Sequence, residues 1–142
     1  MIRRHFQLLF ASVALLALGF AASHVSAVAQ EKAVPRVYEL RTYTTHPGRL
    51  PALNKRFQEH TLKLFEKHGM KNEMYWIPTD STKSENTLIY VISHESEAAA
   101  KKSWDAFRTD PDWIKARDAS EADGKIVLKV ESVFMTKAPY SP

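Results

Sequence analysis

Between residues 36 and 136 the apolar positions switch back and forth between a repeat of two and a repeat of three to four, and the order of those switches limits the fold more than any other feature. "VYELRTYTT" (37–45) has strand character, and Pro47 and Gly48 supply the turn that ends it. From Arg49 the residues Leu50, Leu53, Phe57, Thr61 and Leu64 recur at helical spacing, and Gly69 suits the position just past a helix end. "MKNEMYWIP" predicts a second strand stopped by Pro78, followed by the polar turn "TDSTKSEN". "TLIYVISH" predicts a third strand, and its near-continuous apolar run suits a central place in a sheet. The segment from Ser93 to Glu97 can cap a second helix, "EAAAKKSWDAFR", with Ala100, Trp104 and Phe107 on one side. Helix restarts at "TDPDW", where Asp110 caps, Pro111 fills the first turn and Trp113 faces inward; "KIVLKVESVFMT" is the fourth strand. Strand, helix, strand, strand, helix, strand is the split βαβ pattern of a ferredoxin-like α+β sandwich: a four-stranded antiparallel sheet with two helices on one face.

Helices on one side only leave the other side of the sheet to water or to a partner. Along the first strand Tyr38, Leu40 and Thr42 share one face, and Val37, Glu39, Arg41 and Tyr43 share the other. The mixture of apolar and charged groups on the second set suits a sheet-to-sheet interface enclosing a polar cleft, so that set is assigned to the uncovered face. It is joined there by Val127, Lys129, Glu131, Val133 and Met135, or by their neighbours, from the fourth strand. The expected cover is a second copy of the chain.

The first thirty residues belong to a different class. Arg3 and Arg4 precede an apolar run from about Leu8 to Ala22, and small residues follow it at "SAVAQ", which is the pattern of a secretory signal peptide. Ala27-Val28-Ala29 reads as the cleavage site before Gln30, with Val25-Ser26-Ala27 as a second choice; the apolar run is short for an uncleaved anchor. The expected organisation is therefore a signal peptide over 1–29, a leader over 30–35, one domain over 36–136 and a tail over 137–142. An exported protein, periplasmic or extracellular, with no stable membrane insertion after cleavage, is expected.

Charge supports no nucleic-acid partner. The chain has 20 Lys and Arg against 16 Asp and Glu; without Arg3 and Arg4 the mature chain has 18 against 16, a net +2, with the signs interspersed. There is no cysteine, which excludes a disulfide, a thiolate nucleophile and a Cys-metal site. His46, His60, His68 and His94 show no HxH or HExxH spacing, and no cofactor or metal is expected. No Ser-His-Asp arrangement, phosphate loop or nucleotide fingerprint is visible either.

Together, "YELRTYTTHPGRLPALNKRF", the Tyr75-Trp76 pair and the "DPDW" of 110–113 resemble the NIPSNAP family, over about residues 36 to 136. Met74 stands where the family's usual Gly precedes the Tyr-Trp pair. The resemblance implies a ferredoxin-like protomer pairing into a dimeric α+β barrel, and it implies no agreed reaction or cofactor. Related barrels include monooxygenases, and some hold haem.

Candidate cleft or ligand contacts are Glu39, Arg41, Tyr43, His60 and Trp76. Glu39 and Arg41 lie about 6.6 Å apart along a strand, near enough to pair or to clamp a carboxylate. His60 falls close to the apolar stripe of the first helix. Trp76, with Tyr75, Trp104 and Trp113, either packs the core or lines an aromatic pocket. No catalytic residue is assigned. Two functions remain open. One is an exported homodimeric binding or interaction module holding a small hydrophobic or anionic ligand. The other is a cofactor-free or haem-assisted oxidoreductase or isomerase, in which Arg41 and Tyr43 polarise a carbonyl and Glu39 or His60 moves a proton.

Overall fold

A computed structural model describes residues 35–142. The signal peptide expected over 1–29, and all but Pro35 of the expected leader, lie outside the described residues. Strands β1 (Val37–Thr45), β2 (Lys71–Trp76), β3 (Thr87–His94) and β4 (Val127–Met135) form one antiparallel sheet in the order β2-β3-β1-β4. This is the ferredoxin-like α+β arrangement that the order of periodicities predicts.

The first helix is more complex than its spacing suggests. Helix α1 (Leu50–Arg56) and helix α2 (Leu62–Lys67) are joined end to end by a π-helical turn (Phe57–Thr61). Within it the Leu62 N–H reaches back five residues to the Phe57 carbonyl, and the buried Thr61 hydroxyl donates to the Arg56 carbonyl at 3.2 Å. Gly69 follows the helix at φ +77, the left-handed conformation expected of a residue just past a C-terminus.

Helix α3 (Glu97–Thr109) starts at Ser96, whose hydroxyl accepts from the Ala99 N–H. Helix α4 (Pro111–Ser120) starts at Asp110, which accepts from the Asp112 N–H and is held in turn by His68 at 2.6 Å and Lys67 at 2.8 Å. Those contacts keep the Asp110 carboxyl well below the usual carboxylate range. The core between helices and sheet is aromatic: Phe57, Phe65 and Tyr90 meet ring to ring, with Leu53, Ile92 and Phe107 around them. Among the described residues no helix is long and apolar enough to cross a membrane.

The register reverses the expected faces of β1. Tyr90 and Ile92, both in the helix-covered core, lie opposite Arg41 and Glu39. Val37, Glu39, Arg41 and Tyr43 are therefore on the covered face, and Tyr38, Leu40 and Thr42 are on the open one. The reason is hydrogen bonding: enough donors converge on Glu39 to make its burial acceptable, which composition alone does not reveal. On β4 the residues opposite Tyr38, Leu40 and Thr42 are Met135, Val133 and Glu131, so these, with Lys129 opposite Thr44, lie on the open face as expected. Val127 does not, because a register shift between Thr44 and Thr45 sets it opposite Thr45, on the other side.

Candidate functional site

The covered face of β1 carries a built polar cluster. Glu39, only 2% exposed, is its centre. One carboxylate oxygen accepts from Arg41 Nη1 at 2.5 Å and from Ser132 Oγ at 2.7 Å. The other accepts from Trp104 Nε1 at 2.7 Å and from His94 Nε2 at 3.0 Å. Burial alone would raise its pKa; the bonds from His94, Ser132 and Trp104 and the charge of Arg41 outweigh that and bring it from 4.5 to about 2. The carboxylate is ionised at every physiological pH, so the His94 nitrogen facing it is the one that bears the proton.

Arg41 is the matching cation. Its Cζ sits 4.2 Å from the centre of the Trp104 ring and 5.5 Å from that of Tyr43, and Nη2 faces the Tyr43 hydroxyl at 3.4 Å. Burial works against its charge, but Tyr43, Tyr90 and Glu39 more than compensate, so its pKa is raised. Three polar atoms in this neighbourhood are buried and unpartnered: Arg41 Nε, the Tyr90 hydroxyl and His94 Nδ1.

The five expected contact residues thus separate into three places. Glu39, Arg41 and Tyr43 come together, on the helix side of the sheet. Trp76 is on the open face, opposite Ile89, and is 47% exposed. His60 is on the outer surface of the helices, its side chain 49% exposed, beside a hollow of about 410 Å³ between α1 and α4. Charged Arg49, Arg56 and Asp123 share the walls of that hollow, and His68 and His94 are engaged by carboxylates. Among the described residues no three or more His, Asp or Glu converge to hold a metal ion. Trp104 and Tyr75 pack in and against the core, as their spacing suggests, with Tyr75 stacked on Tyr90.

Sequence reasoning did not single out His94, Tyr90 or Ser132 for this cluster. One signal was available: His94 closes an apolar strand in phase with Tyr90 and Ile92, an unusual place for an imidazole.

The open face has a different character. Met74 and Val133 are 54% and 56% exposed there, Leu40 and Val91 lie between them in register, and Trp76 continues the apolar surface. At one end a hollow of about 460 Å³ is bounded by Tyr38, Val91 and Met135 and by the C-terminal residues Ala138, Tyr140 and Pro142. Met74 itself follows a bulge in the β2–β3 pairing.

The NIPSNAP family model matches residues 38–142. Among solved structures, a NIPSNAP family protein of unknown function from Agrobacterium tumefaciens is similar at 20% identity and a TM-score of 0.64, covering 78% of this chain and 95% of that one. A NIPSNAP-like domain protein from Burkholderia xenovorans is similar at 11% identity and a TM-score of 0.65, covering 77% and 90%. SnoaB, a cofactor-independent oxygenase from Streptomyces nogalater, is similar at 14% identity and a TM-score of 0.52, covering 76% and 98%. At these identities the structural likeness concerns the fold, which is of the dimeric α+β barrel type. A comparison with curated proteins found no match.

Proposed function

This chain belongs to the NIPSNAP family, and from that membership and its uncovered sheet we propose that it works as an exported homodimeric binding module. Two copies pair their open sheet faces, and the space between them holds a small apolar ligand. The observation that carries the reading is the open face itself: Met74, Trp76 and Val133 are about half exposed on a surface that also presents Leu40 and Val91. Apolar side chains gathered on one side of a sheet are covered by something, and a sheet face paired with its own copy is self-complementary. The apolar hollow beside Tyr38, Val91 and Met135 is where a ligand would sit, enclosed once a second copy covers it.

Light scattering on the mature chain at micromolar concentration tests this. The expected mass is twice that of the protomer, and Val133→Glu shifts it toward the monomer while circular dichroism stays unchanged. A monodisperse wild-type monomer would remove the pairing from the account. Native mass spectrometry of protein purified from its own compartment then reports any ligand carried along.

A second reading, a cofactor-free oxidoreductase or isomerase, has one observation in its favour: the Glu39–His94 pair buried inside the protomer. Turnover of an enolisable carbonyl compound by the purified protein, lost in His94→Gln, would support it.

A further inference from the structure

The hollow of about 410 Å³ between α1 and α4 has a buried arginine in its wall. Arg56, the last residue of α1, has a side chain only 3% exposed. Its guanidinium is fixed from one side. Nη1 donates to Ser120 Oγ and to Glu121 Oε1, both at 3.2 Å, and the group lies over the Trp113 ring, 5.2 Å from its centre. The other side is unused: Nε is buried without a partner, and Nη2 makes no hydrogen bond among the described residues. Those two N–H groups point the same way in the plane of the guanidinium and form a fork that matches the two oxygens of a carboxylate. A buried donor left open calls for an explanation, and a fork held rigidly in the wall of an existing cavity supplies one.

The rest of the hollow suits what such an oxyanion would carry with it. Ala52 from α1 and Ala116 and Ala119 from α4 supply short apolar walls, and the volume is in the range that holds a small molecule. Small side chains alone would mark only a close approach of two helices; the unpaired fork of Arg56 is what sets the place apart. Arg49 and Lys55 add positive charge to the walls, Glu59 and Asp123 add negative, and Glu121 lies against Arg56 from the other side. Arg49 is committed to Asp123 through both Nη atoms, at 2.7 and 2.6 Å. The fixed charges therefore balance, so recognition rests on directed N–H groups rather than on excess charge, and a dianion gains nothing over a monoanion. The π-helical turn begins at the next residue, Phe57, and carries Glu59 and His60, which also line the hollow. Such turns are frequent at functional sites.

We propose that this hollow binds a small aliphatic monocarboxylic acid. Its carboxylate takes the Nε and Nη2 N–H groups of Arg56, and its hydrocarbon body lies against Ala52, Ala116 and Ala119. An alcohol of the same length offers one oxygen where the fork presents two donors, and inorganic phosphate brings no apolar body for the alanines. No bond in the ligand is made or broken. The site lies between helices, so it does not depend on pairing of the open sheet faces or on a ligand held there.

The probes are hexanoate, hexan-1-ol and inorganic phosphate, each titrated at constant ionic strength into the full mature protein with ¹⁵N-labelled arginine. Hexanoate is expected to shift the Arg56 Nε–H resonance saturably at millimolar concentration, and the other two are expected to leave it in place. Ala119→Leu fills the hollow from an exposed helix position with a residue that favours helix, and is expected to weaken hexanoate binding several-fold at unchanged circular dichroism. Arg56→Lys keeps the charge but not the fork, and a loss of about tenfold in hexanoate binding is expected. An unmoved Arg56 resonance in the wild-type protein overturns the proposal even if Arg56→Lys fails to fold. An equal response to phosphate would mean unselective anion pairing and overturns it too, as does an equal response to hexan-1-ol or hexanoate binding unchanged by Ala119→Leu.

Discussion

Trp104 serves both halves of the ion pair beneath it: its indole Nε1 donates to Glu39 at 2.7 Å while its ring carries the Arg41 guanidinium at 4.2 Å. A helix residue that reads as ordinary core packing is thereby the link between α3 and the charged centre of the sheet. Trp104→Phe keeps an aromatic ring but leaves one carboxylate bond unmade. A loss of about 2 to 3 kcal/mol is expected, because the missing bond is to a charged acceptor and the smaller ring leaves a gap. Urea denaturation checks this as a lower midpoint at unchanged slope.

Replacing one member of the Glu39–Arg41 pair should cost more than replacing both. Glu39→Gln leaves the partly buried Arg41, its side chain 15% exposed, without its countercharge, and a loss of about 3 kcal/mol is expected. The double variant Glu39→Leu/Arg41→Met removes both charges and should lose markedly less than the sum of the single changes. A double-mutant cycle on urea midpoints measures the coupling. Additive losses would show that the two side chains act independently.

Acid should destabilise the fold through the same carboxyl. Glu39 in the folded state titrates at about 2 rather than 4.5. A depressed carboxyl contributes stability that is fully present above its unfolded value and is lost as pH falls through its folded one, so the window runs from about pH 4.5 down to about pH 2. Its share is roughly 3 kcal/mol. Asp110 is depressed in the same direction and adds to the slope. Glu39→Gln should flatten the stability profile between pH 5 and pH 2, measured by urea unfolding at each pH, while leaving the part due to Asp110.

Gly69 is held at φ +77, and a Cβ there would meet only Ser103 Oγ, at 3.7 Å. There is space for a methyl group but not the backbone conformation for it. Gly69→Ala should therefore cost about 1 kcal/mol through strain alone, and Gly69→Asn should cost less, since Asn tolerates the left-handed region. Thermal midpoints of the two variants would show the order.

Export makes a prediction at the other end of the chain. Protein recovered from the medium or the periplasm should begin at Gln30 by N-terminal sequencing, or close to it if the second site is used. Recovery of the full-length chain from the cytosol would defeat the export reading and leave the barrel untouched.

The elements of this protein were legible because they follow from local periodicity and local capping. β3 occupies Thr87–His94, the whole of the apolar run that predicts it, and Asp110 caps α4 because its side chain needs only an N–H two residues away. Gly69 could be placed because one residue type suits one backbone conformation. The π-helical turn was not legible: Phe57 and Thr61 keep a helical spacing of four, and the pattern does not reveal that the Phe57 carbonyl skips one residue to reach Leu62. Nor could alternation along β1 say which of its two faces the helices cover, because a period of two defines the faces without naming them. Two charged residues argued for the open side. The fold buries them because His94, Trp104 and Ser132, lying 55, 65 and 93 residues away from Glu39, bring their donors to its carboxylate. That convergence depends on strand register and helix docking, so only the tertiary structure could determine whether Glu39 meets water or a full set of hydrogen bonds.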